Sequence, residues 1–195
     1  MKKIFIDIET GGLDHLLYDP LEIGIIVEDQ KGMVSEFSRF IKPWTHKLSQ
    51  SAPKALEVNG ITNRHMDPKL SKVESRVEII DSILEFFKQS EITAGNSVFV
   101  AQNAPFDKAF FHKLMGLQKS LPYHWVDCVS LSYLLLEENR TGSLVLSKDK
   151  VAAVLGLPEE ETPHRALNGA RHLRLIFNKL EDTYEKKVKT RLPAS

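Results

Sequence analysis

The strongest constraint on this chain lies in the stretch "KIFIDIET", residues 3–10. Residues 3–8 alternate in side and are mostly apolar or β-branched, which predicts a buried strand. In an extended strand Phe5, Asp7 and Glu9 point to one side, and Ile4, Ile6 and Ile8 to the other. Asp7 and Glu9 therefore share a face at the end of an otherwise hydrophobic strand. Two carboxylates this close repel, and desolvating them is costly unless something positive holds them. A divalent ion would do so, and magnesium or manganese prefers such hard oxygen ligands. The plainer alternative is a strand end that reaches solvent and carries two surface acids.

The rest of the chain alternates in type. Residues 21–28 and 34–41 read as two more strands joined across "DQKG", a turn signal. "SAPKALEVNGIT" reads as a short helix ending at Gly60. "SRVEIIDSILEFFKQS" has Val77, Ile80, Ile83, Leu84 and Phe87 at helical spacing, giving one apolar face. "NSVFVAQ" is a fourth strand. "APFDKAFFHKLMG" is a helix with Pro105 in its first turn and Gly116 at its end. "HWVDCVSLSYLLLEE" passes from a short strand into a helix, and "SKDKVAAVLGL" is another short helix. The last long helix is expected to start after Thr162 and Pro163, with Ala166, Ala170, Leu173, Phe177 and Leu180 on its buried stripe. Three strands followed by helices and two further strands predict an α/β domain with a mixed sheet. The length of 195 residues suits one domain.

Three further positions carry chemistry. Asp107 lies in the first turn of a helix, where it either complements the helix dipole or faces a site. Asn103 either caps that helix or hydrogen-bonds a substrate, and Phe106 is core or pocket wall. His164 is an exposed polar residue or a general base, since its ordinary pKa is near neutral. Gly169 stands inside a helical pattern, where glycine costs about 1 kcal/mol against alanine. Nothing local asks for a kink or a cap there.

Taken together, "FIDIETGG", "VAQNAPFD" and "HRALNGA" resemble the three motifs of the DEDDh (DnaQ-like) 3′→5′ exonucleases, in the same order. "LEIGIIV" and "LEVNGIT" also resemble family segments, so the likeness covers roughly residues 3–180. The resemblance implies an RNase H-like fold with a mixed sheet of about five strands flanked by helices. It implies a domain over residues 1–183, followed by a basic tail over 184–195. It implies two divalent ions, Mg2+ or Mn2+, held by Asp7, Glu9 and Asp107, with His164 as general base. Thr10, Gly11, Gly12 and Leu13 match the loop that contacts the 3′-terminal nucleotide. Asn59, Asn103 and Phe106 match positions near the substrate. Two metals of this kind can clamp the attacking water and the leaving oxygen of a phosphodiester. The chain departs from the family pattern at Gln102 and Asn59, where histidine is common. The larger departure is in the third motif: five residues after His164 the family has aspartate, and this chain has Gly169. Asn168 is one residue away, but that step turns a helical side chain by about 100°.

These residues support three readings. One is an active or weakly active metal-dependent 3′→5′ exonuclease, its fourth ligand supplied by water or a carboxylate from elsewhere. Another is a nucleic-acid-binding protein that has lost catalysis. The third is an interaction module of a replication or repair complex. The expected partner is a nucleic acid with a 3′ end, single-stranded; some family members dimerise, so a homodimer or a polymerase-complex partner belongs with these expectations. From His164 onward there are eight Lys/Arg and three Asp/Glu, a segment of +5 against −5 for the preceding residues. That end either steers a nucleic acid or is a solvated helix. The single cysteine, Cys128, excludes an intramolecular disulfide. The first residues are too briefly apolar and too acidic for a signal peptide, and a cytoplasmic setting is expected.

Overall fold

The computed structural model describes residues 1–116, 120–142 and 144–191, without the side chains of residues 140 and 189–191. β1 (Lys2–Thr10), β2 (Pro20–Glu28) and β3 (Val34–Ile41) form an antiparallel meander. β5 (Ser97–Ala101) and β6 (Trp125–Asp127) add in parallel beyond β1, and β4 (Val73–Glu74) adds in parallel beyond β3. The order is β4-β3-β2-β1-β5-β6. The sheet is mixed, as expected, with six strands rather than about five. β4 is two residues long and carries no periodicity that a sequence could show.

Both faces of β1 are covered, which is why its alternation is apolar on both sides. On one face Ile4, Ile6 and Ile8 join Ile23, Ile25 and Phe99 beneath α2 (Arg76–Gln89) and α3 (Ala104–Met115). On the other, Phe5, Ile26 and Val100 meet Cys128 of α4 (Cys128–Leu135) and Ala170, Leu173 and Phe177 of α6 (Ala166–Arg191). Each fully buried Leu or Phe stabilises this packing by about 1.5–3 kcal/mol. α1 (Pro53–Asn59) ends on Gly60 in the left-handed conformation, and α5 (Lys148–Val154) packs Val151 and Ala152 against Ile176 and Leu180.

Two expectations about helices need correction. The buried face of α2 is Ile79, Ile83 and Phe87, whereas Val77 is 70% exposed. The Ser75–Glu78 capping box fixes the start of α2 so that Val77 falls on the outer side of its first turn. α6 starts at Ala166, so Thr162, Pro163 and His164 belong to the preceding loop. That loop is tied down at the end of α1: the His164 N–H donates to Val58 O at 3.3 Å, and Pro163 lies against Gly60. α6 runs unbroken past residue 183 to Arg191, and residues 192–195 of the expected tail lie outside the described set.

Candidate active site

β1 brings Asp7 and Glu9 to the α6 side of the sheet. Asp7 lies opposite Gly24 on β2 and Glu9 opposite Glu22, with a register shift between Glu9 and Thr10. Gly24 allows an unusually close approach: a Cβ there would collide with the backbone of Ala166 and Leu167. The first turn of α6 therefore rests directly on β2, beside Asp7. This contact places residue 169 above the carboxylate. A Cβ on Gly169 would stand 2.6 Å from Cγ of Asp7 and closer still to Oδ2. The glycine has a structural consequence: Asp7 leans into the space that a side chain at 169 would fill.

Asp107 is buried in the first turn of α3. Its approach is set from a distance, because the Ala104 N–H donates to Oδ1 of Asp127 at 2.9 Å. The Asn103 side chain makes no capping bond, so the capping alternative for that residue is not met. Asp7, Glu9 and Asp107 form a desolvated acidic group. Burial, reinforced by Asp7, raises Glu9 to about 8. Burial and the neighbouring Asp7 also push Asp107 well above the usual carboxylate range. Burial raises Asp7 too, against the pull of Lys148.

Two residues in the group were not singled out in the sequence. Glu160, its side chain 2% exposed, comes from the loop before α6 and lies 3.6 Å from Nδ1 of His164. Lys148, the first residue of α5, places Nζ 2.8 Å from Oε2 of Glu160 and 3.4 Å from Oδ1 of Asp7. Burial disfavours the charge on Lys148, but Asp7 and Glu160 outweigh it and keep the ammonium protonated. In the sequence, Glu160 reads as one of three loop glutamates and Lys148 as helix-surface charge. Only the i, i+4 spacing of Glu160 and His164 hints at the pairing. Glu22 is a further buried acid, raised by desolvation to about 7 despite Arg165 at 3.5 Å.

Beside the acids lies a cleft of about 320 Å³. Its apolar walls include Ile8, Leu13, Ala55, Val58 and Phe106, with Glu9, Thr10, Gly12 and Asn59 also lining it. Phe106 serves as both wall and core, its ring tilted against Phe110 with centroids 4.9 Å apart. Gly11 lies behind the cleft, with no room for a Cβ beside His46 and Ser51. The loop is held by backbone pairing: Gly11 N–H donates to Asp19 O at 3.0 Å, and Ala52 N–H to Gly11 O at 2.7 Å. Asp19 is fully buried and accepts from Trp44 N–H, Thr45 N–H and the Thr45 hydroxyl. Asn59 is committed to the fold, since Nδ2 donates to Thr10 O at 3.2 Å and Oδ1 accepts from Ile61 N–H at 3.0 Å. The structure thus gathers Asp7, Glu9, Asp107, His164 and Gly169 around one cluster. It sets Thr10, Gly12, Leu13, Asn59 and Phe106 around the adjoining cleft.

The donors at this cluster are hard oxygens of the type that suits magnesium or manganese. Their arrangement does not fit a two-metal site. Among the described residues no group of three acidic, histidine or cysteine side chains converges to hold a metal ion. Position 169 supplies no carboxylate, and an ammonium already lies against Asp7.

Comparison with known proteins bears on this site. Residues 4–177 match the family described as RNase_T: Exonuclease. DNA polymerase III PolC-type of Thermotoga petrophila is 32% identical over 187 residues, and that of Clostridium perfringens is 30% identical over 185. These alignments cover 94% and 92% of this chain but only 12% and 11% of the polymerases. Among solved structures, the cell-death related nuclease CRN-4 superposes with a TM-score of 0.72 at 15% identity, covering 93% of this chain and 64% of that one. The nuclease domain of 3′hExo, a DEDDh family member bound to rAMP, gives 0.71 at 14%, covering 93% and 92%. E. coli Exonuclease I with a dT13 oligonucleotide gives 0.71 at 19%, covering 97% and 43%. At these identities the structures share the fold, which is the RNase H-like exonuclease fold. With the three motifs in order and the match spanning most of its length, the chain belongs to the DnaQ-like 3′→5′ exonuclease family.

Proposed function

We propose that this chain binds the 3′ end of a nucleic-acid single strand in the cleft beside Glu9, and that its hydrolysis of the terminal phosphodiester is impaired. The observation that carries this reading is Gly169 lying directly over Asp7, where the family motif has an aspartate. The 3′-terminal base would stack against Leu13, Val58 and Phe106, a sequence-tolerant mode of recognition. The Thr10–Leu13 loop, fixed by Asp19, would set the register of the terminal sugar. His164 would act as the general base on a water, with Glu160 lying 3.6 Å from its Nδ1. The oligonucleotide in Exonuclease I and the rAMP in 3′hExo support the substrate class. The PolC-type relatives support a replication partner, a polymerase in particular.

The test measures binding and release together. Anisotropy of a 3′-labelled single strand should show salt-dependent affinity. Release of nucleoside monophosphate by this chain should be slow, and Gly169→Asp combined with Lys148→Met should raise it by about 100-fold or more, the scale of restoring a group that stabilises transition-state charge. If the unaltered chain already matches the double variant, position 169 is not a missing ligand. If no strand binds at low salt, the interaction-module reading replaces this one.

A further inference from the structure

The acidic cluster already contains a cation. Lys148 is the N-terminal residue of α5, where the exposed N–H groups of the helix disfavour positive charge. A lysine side chain that is only 15% exposed is also uncommon unless it is paired. Both costs are offset at one place, between Asp7 and Glu160. Oδ1 of Asp7 faces the ammonium, and both of its oxygens border the gap above Gly169, Oδ2 the more closely. A side chain at 169 would push Asp7 out of that pose. The missing carboxylate and the inserted ammonium therefore belong to one arrangement. The ammonium also acts electrostatically on Glu9 and Asp107, so all three motif acids lie within its field. A divalent ion entering here would meet a like charge and find Asp7 engaged.

We propose that the Lys148 ammonium is the resident cation of this site, held by Asp7 and Glu160 in place of a divalent ion. Nucleic-acid binding is then independent of metal. The inference rests on reading the cluster as the exonuclease site, but its test needs no nucleic acid. Glu160, which no motif marks, becomes a structural member of the site through its pairing with Lys148.

The experiment is a Mn2+ titration of the full chain, followed by loss of the free-ion electron paramagnetic resonance signal. The unaltered chain and Lys148→Arg should take up no Mn2+ saturably below millimolar concentration. Lys148→Met should gain a saturable site, tighter by about tenfold or more, the effect of removing one adjacent like charge at a protein-like dielectric. If Lys148→Met does not fold, the charge-balanced double variant Lys148→Gln/Glu160→Gln is titrated in its place, with the same gain expected. Saturable Mn2+ uptake by the unaltered chain, equal to that of the lysine-free variant, overturns the proposal. So does a lysine-free variant that gains no uptake. In parallel, single-strand affinity of the unaltered chain should be the same in chelator and in Mn2+. A chain that binds no strand at all would remove the 3′-end reading, while the titration would still report on Lys148.

Discussion

A glycine replaced within a helix ordinarily increases stability, by up to about 1 kcal/mol. At position 169 the expected sign is reversed. Gly169→Asp places a Cβ against the Asp7 carboxyl and adds another acid to a cluster that is already desolvated. Urea unfolding should show a loss of about 1–3 kcal/mol, the usual cost of overpacking. A gain in stability would mean that Asp7 moves aside freely. The sequence made this position conspicuous because a family motif supplied the comparison. It left Lys148, Glu160 and Glu22 unmarked for a physical reason. Each is an ordinary charged residue, on a strand (Glu22), at a helix start (Lys148) or in a loop (Glu160), and only tertiary folding brings it to Asp7 or Glu9. Asn59 shows the opposite case: its motif position suggests a free amide, while the fold uses both of its polar atoms on backbone.

At the level of elements, the first turn of α6 and the middle of β2 form the critical contact. Gly24→Ala should lift α6 from the sheet, since its Cβ would meet helix backbone rather than a movable side chain. The expected cost is about 1–3 kcal/mol in chemical denaturation, together with weaker strand binding because Gly169 and Asp7 separate. An unchanged midpoint would show that the contact is loose. The stripe Ala166, Ala170, Leu173, Phe177 and Leu180 was legible because a long amphipathic helix repeats its signal over many turns. The start of α6 was not, because Pro163 suits a first helical turn but is used instead to pack on Gly60. Part of the basic character of this end is paired internally. Arg165, just before the helix, meets Glu22, and within it Arg171 meets Glu36, Arg174 meets Glu28, and Lys187 donates to Leu135 O. At Arg171, Arg174 and Lys187 these pairings give the charge a structural role.

Across the whole molecule, the buried acids set how stability depends on pH. Glu9 and Glu22 titrate near 8 and near 7 in the folded chain, against 4.5 as the ordinary value. The folded state therefore keeps protons that the unfolded state has released. Stability from these groups is full below 4.5 and is lost as pH rises through the folded values. Asp19 acts in the opposite sense. Burial raises it, but hydrogen bonds from Thr45, Lys113 and Trp44 together outweigh burial and hold it below 3.8. Its contribution is present above 3.8 and lost as pH falls through its lower folded value. Melting temperature in chelator should therefore peak in mildly acidic buffer and fall toward mildly alkaline buffer. A flat profile across that range would mean that Glu9 and Glu22 are solvated.

The contact between Asp7 and Lys148 spans 141 positions of sequence. In chain order β1 precedes by far the groups that enclose its acids, α5 and α6. Until β2 and β5 pair with its two edges, the strand is a short, strongly β-forming segment of the kind that pairs with other chains. Asp7 and Glu9, fully hydrated at that stage, interrupt the segment with charge and act as gatekeepers against such pairing. Charge that is desolvated in the folded protein is thus of the kind that opposes such pairing before folding, a consequence that does not depend on catalysis.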